Sequence, residues 1–222
     1  MTGQEKSAAR VLVVSDHPVT RLGLLTLLGT DDGFLVCGEA SSAAEAAEVA
    51  AQQSPDLAII DLGHEPMGGI GLVKALRAAR PATRILLLSP HDERILAERA
   101  LRAGAAGYVM KRQPAPDILA AARRVLSGEL YMSDPMRERM LRRHVKGSAE
   151  DAHPTEGLSD REMEVLQLIG SGHGTRDIAA RLGLSAKTID SHRENLKRKL
   201  GLARGSDLVR LAVEWARTGA LP

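Results

Sequence analysis

Four side chains spread over the first half of the chain carry the types needed for phosphoryl chemistry: Asp16, Asp61, Ser89 and Lys111. Asp16 follows an apolar run at 10–15, while Asp61, Ser89 and Lys111 end or follow similar runs at 57–61, 84–89 and 107–110. If these runs are strands of one open parallel sheet, all four groups sit at its carboxyl rim, where such sheets bind ligands. Two carboxylates suit a hard cation such as Mg²⁺, which takes oxygen donors and keeps several waters. A lysine and a serine supply charge and a hydrogen bond to an incoming phosphoryl group. A carboxylate can itself act as the nucleophile and become an acyl phosphate.

The elements that must position these groups are legible in the apolar pattern. Strands are expected at 10–15, 34–39, 57–61, 84–89 and 107–110, each short, apolar and bounded by polar or turn residues, as in a sheet covered on both faces. Amphipathic stretches at 19–28, 43–53, 71–80, 93–103 and 116–126 predict helices between and after them. Gly104 and Gly128 stand where left-handed caps end a helix. Five such βα units predict a doubly wound α/β domain over 10–127, preceded by a disordered 1–9. A linker is expected over 128–157, with a short basic helix at 137–146 and a flexible Gly, Ser, Pro and acidic stretch at 147–157.

The last segment, 158–222, reads as an all-α, four-helix domain. Ser159 with Glu162 forms a capping box ahead of an apolar helix. A short helix at 175–182, a turn at Gly183-Leu184 and a long helix from Ser185 to Leu200 make helix, tight turn, helix. The stretch 185–200 holds 5 Lys+Arg against 2 acidic residues, although the whole chain carries only +2. Ile189, Leu196 and Leu200 should face inward. Lys187, Thr188, Asp190, Ser191, Glu194 and Arg198 would then be offered to a major groove, with Lys197 and Lys199 toward phosphates. A pairing of Glu194 with Arg198 would instead make this a merely solvated face. A final helix, 206–218, places Leu208, Leu211, Ala212 and Trp215 on one face.

Composition narrows the class. Apolar residues at 44% of 222 exclude wholesale disorder, and aromatics at 2% argue against stacking platforms for single-stranded nucleic acid. Cys37 is the single cysteine, so an intrachain disulfide is impossible and a reducing cytoplasm fits. No run of about 20 apolar residues exists to cross a bilayer. The seven histidines show no metal-ligand spacing, and only His17, His64 and His91 would fall near the acidic rim.

The ordered set Ser15-Asp16-His17-Pro18, Asp61-Leu62 with Met67 and Gly69, Leu88-Ser89 and Gly107-Tyr108-Val109-Met110-Lys111 resembles the flavodoxin-like receiver domains of two-component response regulators. Leu158-Ser159-Asp160-Arg161-Glu162, Asp177-Ile178-Ala179, Leu184-Ser185, Thr188-Ile189, His192 and Lys199-Leu200-Gly201 resemble the LuxR-type helix-turn-helix of NarL/FixJ regulators. The resemblance implies a phosphoacceptor at Asp61, Mg²⁺ on Asp16, Asp61 and the Gly63 carbonyl, and phosphoryl contacts from Ser89 and Lys111. It also implies that Tyr108 is an aromatic switch and that the chain reads double-stranded DNA as a homodimer. A sensor histidine kinase or small phosphodonor would supply the phosphoryl group.

Departures from the family pattern carry their own expectations. Ser15 stands where a second acid is usual, which removes a charge and should weaken Mg²⁺ binding. His64-Glu65 replaces the usual Met-Pro, Pro90 stiffens the loop after Ser89, Arg112 replaces a proline, and Gly174-Thr175 replaces Ser-Asn. Two alternatives stay open: a receiver that regulates transcription without phosphorylation, and an Mg²⁺-dependent phosphotransfer enzyme, which lacks a substrate-pocket motif.

Overall fold

The computed structural model describes residues 7–63, 66–146 and 154–218. Two compact units form, Met1–Arg137 and Glu138–Pro222.

In the first unit, β1 (Ala9–Val14), β2 (Phe34–Ala40), β3 (Leu57–Asp61), β4 (Arg84–Ser89) and β5 (Gly107–Met110) pair in the order β2-β1-β3-β4-β5, all parallel. The intervening helices are α1 (Pro18–Leu28), α2 (Ala43–Gln53), α3 (Pro66–Ala79) and α4 (Glu93–Ala103), with α5 (Ala115–Leu126) after the last strand. β3 is buried at every position because helices cover both faces. Val11 and Val13, Leu57 and Ile59, and Leu86 and Leu88 join Leu24 and Leu28 of α1 with Ala121, Ala122 and Val125 of α5 in one cluster. Each Val, Leu or Ile among them contributes about 1.5–3 kcal/mol of burial, and together they hold the strand ends in register. Asp61 pairs with Leu88 and Ser89 with Met110, so the polar residues at the strand ends share one rim.

Two elements begin at least three residues earlier than the apolar pattern predicts. α3 begins at Pro66 rather than at 71, despite Gly68, Gly69 and Gly71. A Cβ at Gly69 would lie only 1.9 Å from Leu62 Cδ2, so close packing is one reason for a glycine that lowers helix propensity. The basic helix forms as α6 (Asp134–Lys146), and the division between the two units falls within it. The expected disorder at 1–9 lies outside the described residues for 1–6, and Ala9 is the first residue of β1. The expected flexibility of 147–157 likewise lies outside them for 147–153, and a 3-10 turn occupies Pro154–Gly157.

The second unit contains α7 (Asp160–Gly170), α8 (Thr175–Leu182), α9 (Ala186–Lys199) and α10 (Gly205–Thr218). Ser159 and Glu162 form the full capping box of α7. Gly183, at φ 63°, adopts the left-handed turn between α8 and α9, and Ser185 Oγ accepts from Thr188 N to start α9. α10 packs on α7 and buries Leu208, Ala212 and Trp215.

Candidate functional site

The rim is built around Asp61, whose side chain is wholly buried where β3 ends. Lys111 Nζ lies 2.5 Å from Asp61 Oδ1. Ser15 donates its hydroxyl to Asp61 Oδ2 at 2.8 Å. Ser15 is itself fixed: its backbone carbonyl accepts from Arg21 Nη1 at 2.7 Å, and its Oγ accepts from His17 N at 3.2 Å. Arg21 also reaches Glu39 of β2, tying the ends of neighbouring strands together. Asp16 is exposed beside this group, with Oδ1 2.7 Å from His17 Nδ1. Ligand atoms of Asp16, His17 and Asp61 lie within 4.8 Å of one another.

A cavity of about 260 Å³ opens above, lined by Ser15, Asp16, Ser41, Ser42, Asp61 and Gly63 among others. Gly63 comes close to Asp16; a Cβ there would lie 3.3 Å from Asp16 Oδ1. The His64-Glu65 departure lies outside the described residues.

Ser89 and Tyr108 form a neighbouring group. Ser89, fully buried, accepts from His91 N at 3.1 Å, and its carbonyl accepts from Lys111 N at 2.8 Å. The Tyr108 hydroxyl donates to His91 O at 3.0 Å. Burial holds the Tyr108 phenol above its usual range, against a smaller opposing effect of its hydrogen bond with Ser89. Asp61, Lys111 and Ser15 are thus in direct contact, whereas Ser89 and Tyr108 meet at His91 on the β4–α4 loop.

On α9 the residues expected outside divide into two groups. Lys187, Asp190, Ser191, Glu194 and Arg198 are exposed, and Thr188 is half-buried beside the Ser185 cap. Asp190 accepts from Thr175 Oγ1 at 3.3 Å, Ser191 donates to Lys187 O, and Arg198 reaches Asn195. Glu194 pairs with Lys197 at 2.9 Å, not with Arg198. Lys199 folds back: its Nζ lies 2.7 Å from Glu162 Oε2, which also accepts from Ser159 N at 2.7 Å. Burial pushes the Glu162 carboxyl up, but Lys199 and Ser159 outweigh it and leave the group below its usual range. The charge pattern alone does not single out Arg193, the remaining cation of the 185–200 stretch, which is half-buried, and no local spacing links Glu162 to Lys199.

A five-stranded parallel receiver sheet with an acid-and-lysine rim, followed by a helix-turn-helix unit, defines a response regulator with a DNA-binding domain. The family comparisons agree: residues 11–123 match the response regulator receiver domain, and residues 156–212 match the bacterial regulatory proteins of the luxR family. The chain belongs to this family of receiver-linked LuxR-type transcription regulators. It is 36% identical to the nitrate/nitrite response regulator protein homolog of Haemophilus influenzae, over 87% of this chain and 90% of that one. It is also 36% identical to the transcriptional activator protein ExaE of Pseudomonas putida, over 92% and 95%. Among solved structures it resembles RcsB from Salmonella enterica serovar Typhimurium, bound to promoter rprA in the presence of a phosphomimetic. The TM-score is 0.70 at 25% identity, covering 91% of this chain and 97% of that one. No described helix is long and apolar enough to cross a membrane.

Proposed function

We propose that this chain regulates transcription in the cytoplasm under control of phosphorylation at Asp61, with a receiver over 10–127, a connecting segment over 128–157 and a DNA-reading domain over 158–222. The observation that carries the reading is the buried Asp61 carboxylate held by Lys111, with Asp16 alongside. An Asp61 oxygen forms a bond to phosphorus as the donor's P–N bond (phosphohistidine of a sensor kinase) or P–O bond (small acyl phosphate) breaks, the electron pair leaving with imidazole or acylate. Lys111 offsets the charge of the phosphoryl oxygens, and Ser89 supplies a hydroxyl from the adjacent strand end.

The oxygen donors of Asp16 and Asp61 fit a hard divalent ion, which the Gly63 carbonyl would complete. Bound there, Mg²⁺ supplies positive charge against the phosphoryl oxygens. Ser89 and Tyr108 then reposition, and two copies of the chain engage two half-sites through Lys187, Thr188, Asp190, Ser191, Glu194, Lys197 and Arg198, while Lys199 holds the helix frame.

The test is incubation with acetyl phosphate and Mg²⁺ followed by mass spectrometry. One phosphoryl group on the native chain and none on Asp61→Asn supports the reading; an unmodified native chain overturns it.

The Ser15 hydroxyl on Asp61 favours a second reading, a receiver that works without phosphorylation. Under it, beryllofluoride leaves DNA affinity unchanged.

A further inference from the structure

The segment after α5 returns along the open edge of the sheet. β5 is the edge strand, and Gly107 forms a parallel bridge with Tyr131. Tyr131 N donates to Ala106 O at 3.0 Å, and Tyr108 N donates to Tyr131 O at 2.9 Å. The approach depends on Gly107: a Cβ there would lie 3.1 Å from Tyr131 Cβ and 2.7 Å from Leu86 Cδ1. Arg124 sits over the Tyr131 ring at 5.4 Å, and Met132 and Met136 are buried.

One hydroxyl fastens the end of this segment. Ser133 Oγ accepts from Met136 N at 3.2 Å, in the first turn of α6, and donates to Glu93 Oε1. Glu93 is the first residue of α4 and is 8% exposed. It follows His91 by two residues, and His91 is joined to Ser89 through its N–H and to Tyr108 through its carbonyl. The strap at 129–133 is therefore bonded to the Tyr108 backbone on one side and to the first residue of α4 on the other.

We propose that this strap reads the state of Ser89, and that Glu93 and Ser133 are positioning residues that pass it to α6. The proposal rests on phosphorylation at Asp61. A phosphoryl group that draws the Ser89 hydroxyl takes the acceptor from His91 N, and residues 91–93 shift. The Glu93 carboxylate carries Ser133 with it, and the first turn of α6 follows. Each link in this chain is a hydrogen bond that is engaged in this structure and that phosphorylation would release.

The experiment compares the native full-length chain with Ser133→Ala, Ser133→Thr and Glu93→Gln. Three readouts are taken: phosphoryl incorporation from acetyl phosphate, amide exchange at Tyr108 and Tyr131 with and without beryllofluoride, and DNA affinity by fluorescence anisotropy. In the native chain, beryllofluoride should change exchange at both amides and DNA affinity by about tenfold. Ser133→Ala should incorporate phosphate at the native level, yet its DNA response should fall below about twofold. Ser133→Thr and Glu93→Gln keep a donor and an acceptor and should restore the response. A Ser133→Ala chain with native exchange and native DNA response overturns the strap, as does failure of both conservative variants to restore coupling. A native chain that incorporates no phosphate overturns the phosphorylation reading and the strap with it; normal incorporation without a change in amide exchange overturns the strap alone.

Discussion

Ser15 donates its hydroxyl hydrogen to Asp61 Oδ2 at 2.8 Å, across the gap between the ends of β1 and β3. Lys111 occupies the other oxygen, so both carboxylate oxygens of Asp61 are already engaged by positive or hydrogen-donating groups. An acid at position 15 would instead present a third carboxylate, beside Asp16 and Asp61, to a cation. Cation affinity in oxygen sites follows the charge of the ligand set, so Ser15→Asp should tighten Mg²⁺ binding by about tenfold. Isothermal titration calorimetry measures it, and equal or weaker binding would contradict this account of the rim.

Glu162 and Lys199 make a second such pair, inside the DNA-reading unit. A carboxyl held below its usual range contributes stability above its unfolded value, near pH 4.3, and loses it as pH falls through the lower folded value. Removing the amine with Lys199→Met should cost about 1–3 kcal/mol at pH 7. The difference from the native chain should shrink in acid below about pH 4.3 as Glu162 takes up its proton. Urea melts followed by fluorescence of Trp215, the single tryptophan and buried in this unit, report it directly. A gap that stays constant from pH 7 into acid would rule out the ion pair as its cause.

Much of this architecture was legible because burial leaves a mark on composition. β3, β4 and β5 show as unbroken apolar runs, and their observed bounds match the pattern. The Ser159–Glu162 capping box is local and reads directly from four residues. Elements fixed by packing were less visible: α3 starts at Pro66 through glycines that intrinsic propensity disfavours. At the site, residue types marked the rim, but the direction of a hydroxyl did not. Ser15 reads as a missing charge, and only geometry turns it into a donor to Asp61. Lys199 lies on a basic helix and reads as a phosphate contact. Its partner is 37 residues earlier in the chain, where no helical periodicity connects the two.

The contact between α7 and α10 leaves no room at Gly170. A Cβ there would stand 2.3 Å from Ala212 O and 3.0 Å from Ala216 Cβ, and the first of these is backbone that cannot rotate away. Gly170→Ala should therefore force the helices apart, with an overpacking cost of about 1–3 kcal/mol. Melting of the second unit, followed through Trp215, should show the loss, while phosphoryl incorporation at Asp61 should be unaffected. Native stability in this variant would mean that α10 shifts on α7 without cost.

The fate of the α9 cations separates two kinds of lysine. Both lysines are exposed, Lys187 in the first turn of α9 and Lys199 at its end, but the Lys199 ammonium is bound to Glu162. A lysine that neutralises a phosphate releases a counterion, so its loss lowers the slope of log affinity against log salt by about one. Lys187→Ala should weaken DNA binding at low salt and reduce that slope. Lys199→Met should leave the slope nearly unchanged and appear instead as lost stability. Anisotropy titrations over a salt series decide it: a slope change of about one for Lys199→Met, with none for Lys187→Ala, would mean that Lys199 leaves Glu162 for a phosphate when DNA binds.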